Sequence, residues 1–187
     1  KKIIDTAQDA PTTVIVAGDE ASLSLQATLK VVWHARGETP IVNLHPGRES
    51  MHFYGALNLH TGQETTMRTT LMNADVSALF LLRLVATYPE QPILLLWDRA
   101  PWHRGPAIQQ LLATHSQLEI LYLPPGAPDL NPQEQVWKAT RSAVSHNHRQ
   151  AKLDQLVNAF EHHLVSTRFP CSLLEKHDYL SLCARFI

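Results

Sequence analysis

The run PILLLW from Pro92 to Trp97 constrains the fold most strongly, because every residue after the proline is apolar. A strand with one face in water alternates apolar and polar side chains, whereas a strand covered on both faces does not. A second apolar run, LEILYL, extends from Leu118 to Leu123. The chain is therefore expected to build a sheet with packing layers on both of its faces.

Helices and further strands are predicted around these two runs. The β-branched residues from Thr12 to Ala17 predict a central strand, and Leu29 to Trp33 predict another extended segment. A turn at residues 60–63 predicts a hairpin, made of Ser50–Leu59 and Glu64–Leu71. Apolar residues at helical spacing predict helices, at Ala74–Tyr88, Pro106–His115, Asn131–Ser145 and Leu153–Arg168. This order predicts an α/β fold with a mixed sheet and helices on both faces.

Length and composition fit a single globular domain without a membrane anchor. The chain has 187 residues, 44% of them hydrophobic, and we interpret residues 1–187 as one domain in which residues 1–12 are flexible. No apolar run approaches the ~20 residues of a membrane-spanning helix, and no signal-peptide pattern opens the chain. Cys171 and Cys183 are too few for a disulfide framework, so a reducing cytoplasm is expected.

The charge balance limits the ways in which the chain can bind nucleic acid. A formal net charge of −1 argues against a protein that coats nucleic acid indiscriminately. Binding of DNA through a local positive surface stays open. The chain begins with Lys1-Lys2 and not with methionine, so we interpret it as a piece of a longer protein.

Three acidic residues stand where a metal site can form. Asp19 follows the predicted strand Thr12–Ala17, and Asp98 follows PILLLW directly. If these strands are neighbours, both carboxylates emerge at one edge of the sheet, where they must share a proton or hold a divalent cation. Glu134 can complete the set from a helix lying across that edge. Carboxylate oxygens suit Mg²⁺ or Mn²⁺, and two such ions ~4 Å apart would activate water and stabilise a leaving oxygen.

Each acid also has a purely structural interpretation. Asp19 and Asp98 are equally well explained, on local grounds, as residues of the turns that end their strands. Asn131 to Glu134 is a typical helix start, with Asn131 as the N-cap, Pro132 in the first helical position and Glu134 in the third. On local grounds alone, capping is the more common role for such a glutamate.

Three motifs contain these acids, GDE at Gly18–Glu20, WDRAPWHR at Trp97–Arg104 and LPPGAPDLNPQEQVW at Leu123–Trp137. In wording and order they resemble the motifs of the DDE transposases of the mariner-like superfamily, in the bacterial insertion-sequence-630 branch. Two further segments look like the family's second and third strands, at Trp33–Pro40 and Tyr54–Gln63. The resemblance covers roughly Val14 to Arg168.

The resemblance implies a ribonuclease-H-like fold with a mixed five-stranded sheet. It further implies that Asp19, Asp98 and Glu134 are similar to the family's three catalytic, metal-binding acids. The interval between the last two holds 35 residues, close to the family's spacing. The implied activity is cleavage of double-stranded DNA at transposon ends and strand transfer into target DNA, at TA, with Mg²⁺ or Mn²⁺ in a two-metal site. Glu20 adjoins the first acid, but alternation along a strand predicts that it faces the other way.

Several cationic residues near these acids are candidates for DNA contacts. They follow the second acid or share a helix face with the third, and are Arg99, His103, Arg104, Lys138 and Arg141. For His103, orienting a phosphate or Asp98 and a hydrogen-bonded structural role are equally open. Arg99 stands where the family often has Asn, and Gly126 where an aromatic residue is common. The helix-turn-helix region that such transposases carry at the N-terminus has no counterpart before Val14, so this chain is expected to be the catalytic domain alone.

The resemblance also implies a location and a partner, and it leaves two other functions open. A working transposase must hold two transposon ends, so a homodimer is expected, at the nucleoid in the bacterial cytoplasm. The same acids would serve another ribonuclease-H-like nuclease that cuts hybrids or junctions. A non-catalytic DNA-binding or assembly module could also keep this fold, and metal binding that depends on Asp19 and Asp98 distinguishes it from an enzyme.

Overall fold

The computed structural model describes residues 10, 12–26, 30, 36–37 and 49–170. The extended segment predicted at Leu29–Trp33, the family-like segment Trp33–Pro40 and both cysteines fall almost entirely outside these residues. Most of the N-terminal segment 1–12 does so as well.

Five strands form one mixed sheet in the described part of the chain. The strands are β1 (Val14–Ser24), β2 (Ser50–Asn58), β3 (Glu64–Thr69), β4 (Ile93–Trp97) and β5 (Leu118–Tyr122). Their spatial order is β3-β2-β1-β4-β5. β2 runs antiparallel to both of its neighbours, β1 and β3, whereas β1, β4 and β5 run parallel. The predicted mixed five-stranded sheet and its hairpin, now β2 and β3, are confirmed.

Helices cover both faces of this sheet. They are α1 (Ala74–Thr87), α2 (Pro106–Thr114), α3 (Gln133–Thr140) and α4 (Leu153–Ser166). One apolar cluster joins α1 and α2 to the sheet face that carries Val16 and Leu95. The other joins α3 and α4 to the opposite face, through Leu94 and Leu96. All five residues of β4 are buried, so the continuously apolar run is a strand covered on both sides, as predicted.

The predicted end of the first strand is wrong. We expected Asp19 to follow the strand, but β1 continues to Ser24 and Asp19 lies within it. Only Val14–Ala17 pair with β4, whereas pairing with β2 continues to the end of β1. Antiparallel pairing with β2 therefore carries the strand past its apolar stretch. In the parallel register, Ala17 pairs with Leu96, so Asp19 and Asp98 come two residues later on each strand.

The helix that carries Glu134 differs from its predicted extent. Its α-helical part ends at Thr140, and a π-helical turn, Arg141–Ser145, continues to the predicted end. At its start, Pro132 already has helical dihedral angles, and the Asn131 side-chain oxygen accepts a hydrogen bond from the Gln133 N–H at 3.2 Å. No helix of the described residues has the length and apolar character needed to cross a membrane.

Candidate active site

The three predicted acids line one cavity of about 360 Å³ at the edge of the sheet. Asp19 reaches it from β1, Asp98 from the residue after β4, and Glu134 from the first turn of α3. Other parts of its wall come from Arg99, Asn131 and the loop 123–128. Asp19 and Asp98 meet because β1 and β4 are parallel neighbours, and Glu134 joins them because the Asn131 side chain ties the start of α3 to the Gly18 carbonyl of β1.

Asp19 is the most strongly perturbed acid of this cavity. Burial raises its pKa to about 7, and the negative charges of Glu20, Glu134 and Asp98 act in the same direction. One of its oxygens, Oδ2, accepts a hydrogen bond from the indole N–H of Trp137 at 3.1 Å. This carboxyl group therefore keeps its proton to a higher pH than an exposed aspartate, and a cation would favour its ionised form.

Asp98 is both a turn residue and a cavity residue. Its Oδ1 accepts a hydrogen bond from the Ala100 backbone N–H at 2.9 Å, which is a local turn of the kind that aspartate favours. The same oxygen lies 2.7 Å from Nδ1 of His103. The side chain is about half exposed (49%), so it remains open to solvent on the cavity side. Asp98 therefore forms the local turn after β4 and also lines the cavity.

Glu134 is not the reciprocal residue of a capping box. The backbone N–H of Asn131, which such a glutamate would bind, donates instead to the carbonyl of Pro128 at 2.9 Å. Asn131 also donates from its side-chain amide to the carbonyl of Gly18 at 2.9 Å, and it is buried. The start of α3 is thereby tied to β1 beside Asp19, which fixes where Glu134 stands.

The donor set of the cavity suits a hard divalent cation. Carboxylate oxygens are the ligands that Mg²⁺ and Mn²⁺ prefer, and the cavity lining brings three of these side chains, Asp19, Asp98 and Glu134, together. Across the described residues, no three histidine, cysteine or acidic side chains are already closed around one point. The chemistry of the residues therefore fits the metal, although they line the cavity without forming a closed shell.

The five predicted DNA-contact residues differ in their surroundings. Arg99, Arg104 and Lys138 are exposed, and Arg99 also lines the cavity while its Nε donates to the Leu123 carbonyl at 3.2 Å. Arg141 is half-buried and donates to the Ser22 carbonyl at 2.9 Å. His103 is completely buried, with its ring between two carboxylates, so its predicted contact with DNA does not fit the structure.

The sequence did not point to a buried acid next to the site. Glu64 of β3 accepts a hydrogen bond from the side-chain amide of Gln133 at 2.7 Å, and burial raises its pKa well above the usual range. Gly55, the partner of Asp19 in the β1–β2 ladder, makes room for this pair, because a Cβ there would overlap both side chains and Trp137. No local pattern marks such a contact between β3 and α3.

Comparison with known protein families decides the classification. The model of the family described as DDE superfamily endonuclease matches residues 14–157. The chain belongs to this family. The match begins with β1 and includes all five strands and the three acids of the cavity.

One curated relative and two solved structures are similar to this chain. The chain is 28% identical over 148 residues to the "Insertion element IS630 uncharacterized 39 kDa protein" of Shigella sonnei, covering 77% of this chain and 42% of that protein. It superimposes with a TM-score of 0.67 and 17% identity on the Mos1 transposase in a paired-end complex with the left transposon end. That match covers 99% of this chain and 57% of the Mos1 chain.

A second solved structure supports the same fold. The Mos1 mariner paired-end complex with Mn matches with a TM-score of 0.64 and 16% identity, over 99% of this chain and 56% of that one. At such identities the likeness establishes the ribonuclease-H-like fold, which was predicted. The chain spans about half the length of these relatives.

Proposed function

We propose that this chain is the catalytic part of a DDE transposase, which cuts double-stranded DNA at transposon ends and transfers the strand to target DNA, at TA. The observation that carries the proposal is the meeting of Asp19, Asp98 and Glu134 around one solvent-open cavity. Membership in an endonuclease family and similarity to an insertion-element protein support it. The Mos1 relatives were solved with transposon-end DNA, which favours the same class of substrate here.

In this proposal Asp19, Asp98 and Glu134 hold Mg²⁺ or Mn²⁺ in a two-metal site. The bound ions would lower the pKa of an attacking water or 3′-hydroxyl and neutralise the charge that develops at the phosphorus. The residues around the acids set their positions, since Trp137 holds Asp19 and Asn131 holds the start of the Glu134 helix. The Mn-containing Mos1 complex supports the choice of metal.

Exposed cations beside the cavity would contact the DNA backbone. Arg99 lines the cavity itself, and Arg104 and Lys138 lie exposed on neighbouring elements, so each could bind a phosphate. Arg141 would act mainly by holding the end of β1. A homodimer would bring two transposon ends together, and the site of action would be the nucleoid in the bacterial cytoplasm.

The test is a metal-dependent nicking and strand-transfer assay with the full-length protein on its own transposon ends. Asp98→Asn and Glu134→Gln should each reduce the rate by at least about 100-fold, as expected when one charge-stabilising group is lost. Asp154→Asn, an exposed acid in the first turn of α4, is the matched control and should retain activity. Activity that survives in the first two variants, or cleavage confined to RNA–DNA hybrids, would rule the proposal out.

A further inference from the structure

His103 lies in an unusual position for a histidine next to an acidic site. It belongs to the short 3₁₀ helix Pro101–His103 after β4 and has no solvent exposure. Its ring stacks on the indole of Trp97, with ring centroids 3.6 Å apart. The ring is therefore fixed in its plane by the core of the sheet, and its two nitrogens point in defined directions.

Each ring nitrogen of His103 faces a different carboxylate. Nε2 lies 2.9 and 3.0 Å from the two oxygens of Glu20. On the other side, Nδ1 lies 2.7 Å from Oδ1 of Asp98 and 3.1 Å from the backbone carbonyl of the same residue. His103 thus lies between two carboxylates, that of Glu20 in β1 and that of Asp98 after β4.

Glu20 is the fixed end of this bridge. Its side chain is only 6% exposed, and its Oε2 also accepts a hydrogen bond from the indole N–H of Trp102 at 3.0 Å. Glu20 faces the α1–α2 layer, with Trp97 and His103, whereas Asp19 contacts Trp137 on the α3–α4 side, as strand alternation predicts. Glu20 is therefore an internal counter-charge that holds the imidazole.

Asp98 is the end of the bridge that faces the cavity. The Ala100 N–H donates to Oδ1, and Nδ1 of His103 lies 2.7 Å from the same oxygen. Within the described residues, the polar contacts of this carboxylate with protein groups involve that oxygen. A carboxylate held by one oxygen has lost its freedom to rotate, and the other oxygen stays available to a ligand from the cavity.

We propose that His103, anchored by Glu20 and Trp97, is a positioning residue that fixes the Asp98 carboxylate for cation binding. The inference rests on the proposed function in that Asp98 is taken as a metal ligand. Removing a group that orients a metal ligand in this way commonly lowers metal affinity by about 10–100-fold. His103 would act through Asp98 and would touch neither metal nor DNA.

Two substitutions separate the halves of the bridge. In His103→Asn the side-chain amide can replace Nδ1 toward Asp98, whereas in His103→Gln it can replace Nε2 toward Glu20. Crystal structures should show the Asp98 carboxylate in its parental orientation in the Asn variant and rotated in the Gln variant. Calorimetric titration of the full-length protein with Mn²⁺ should show affinity reduced about tenfold in the Gln variant and less in the Asn variant.

A histidine outside the site provides the matched control. His115 caps the end of α2 and precedes β5, so it lies at the opposite end of the parallel strands from Asp98. His115→Gln should therefore leave both measurements unchanged. If the variants of the buried His103 do not fold, Glu20→Gln tests the same bridge. That variant removes the anchoring charge, and it should also disorder Asp98 and weaken Mn²⁺ binding.

The two readouts distinguish this inference from the proposed function. An unchanged Asp98 orientation together with parental Mn²⁺ affinity in His103→Gln and Glu20→Gln overturns the positioning role. Equal losses in His103→Asn and His103→Gln, tracking a lowered melting temperature, also overturn it, because they indicate packing alone. If the parent binds no Mn²⁺ through Asp98, the proposed function fails, and the crystal structures still decide whether His103 orients this carboxylate.

Discussion

Trp137 donates its indole N–H to Oδ2 of Asp19 over 3.1 Å, joining α3 to β1 inside the cavity. The indole is almost completely buried, and it stacks near Phe160 of α4 with ring centroids 6.4 Å apart. The orientation of a cavity carboxylate is therefore set by the apolar core between the sheet and its helices. A change in the packing of that core should therefore change the orientation of the Asp19 carboxylate.

Replacing Trp137 with phenylalanine tests this link. Trp137→Phe keeps an aromatic ring in the core but removes the donor to Asp19. Because the hydrogen bond favours the ionised carboxylate, its loss should raise the pKa of Asp19 by about one unit, on the scale of 1.4 kcal/mol per unit. The acid limb of the pH–rate profile should move to higher pH by the same amount. An unshifted limb with reduced activity would mean that Trp137 contributes packing only.

The raised pKa of Asp19 predicts how stability depends on pH. The folded pKa is about 7 and the unfolded value is near 3.8, so between them the folded chain binds the extra proton. The contribution of this group to stability is present below pH 4 and is lost as the pH rises toward 7. In metal-free buffer at pH 8, Asp19→Asn should melt roughly 2–4 °C or more above the parent. The difference should vanish near pH 4, and parallel melting curves at both pH values would contradict the assignment.

Binding of a divalent cation should stabilise the folded chain. At a Mn²⁺ concentration 100 times Kd, the free energy of unfolding should rise by about 2.7 kcal/mol, or roughly 5–10 °C in melting temperature. Asp98→Asn should abolish most of this shift, because it removes one anionic ligand of the proposed site. Asp154→Asn should retain it. Thermal denaturation with and without chelator measures the effect, and an equal shift in Asp98→Asn would place the cation elsewhere.

The buried Glu64 should behave as a neutral hydrogen-bonding group. Burial raises the pKa of Glu64 well above its usual range, so we expect Glu64→Gln, which has no charge, to keep the contact with Gln133. This variant should change the free energy of unfolding at pH 7 by less than about 1 kcal/mol. Glu64→Ala leaves the Gln133 amide unpaired and should cost about 1–3 kcal/mol. Urea denaturation compares the two, and equal destabilisation would mean that Glu64 is folded in its charged form.

Much of the fold follows from local pattern. The continuously apolar run at Ile93–Trp97 required a covered strand, and the turn at residues 60–63 required the hairpin. The helix starts at Asn73 and Asn131 carry side chains that bind backbone N–H groups of the first turn, as their residue types indicate. The end of β1 was not predictable in this way, because its second half is held by pairing with β2 and not by its own apolar residues.

The site was predictable only in part. Asp19, Asp98 and Glu134 were found from their positions after strands and in a helix start, together with the family resemblance. The sequence left open whether His103 contacts DNA, orients Asp98 or has a structural role, because a histidine among basic and aromatic residues looks the same in sequence whether it is exposed or buried. Glu64 gave no signal at all, since its partner Gln133 lies 69 residues away in the chain.

The sequence by itself determined the two-sided sheet, the hairpin and the helix starts, because each depends on residues that are close along the chain. It selected the three acids as candidates only through the order and spacing of whole motifs. Tertiary structure decided that Asp19 and Asp98 share one edge, since that depends on the parallel register of β1 and β4. It also decided which side chains contact these carboxylates on the side away from the cavity. Trp137 contacts Asp19, and His103 contacts Asp98. Those contacts form only when elements from distant parts of the chain pack against the sheet. They give Asp19 and Asp98 different surroundings, although both residues are aspartates.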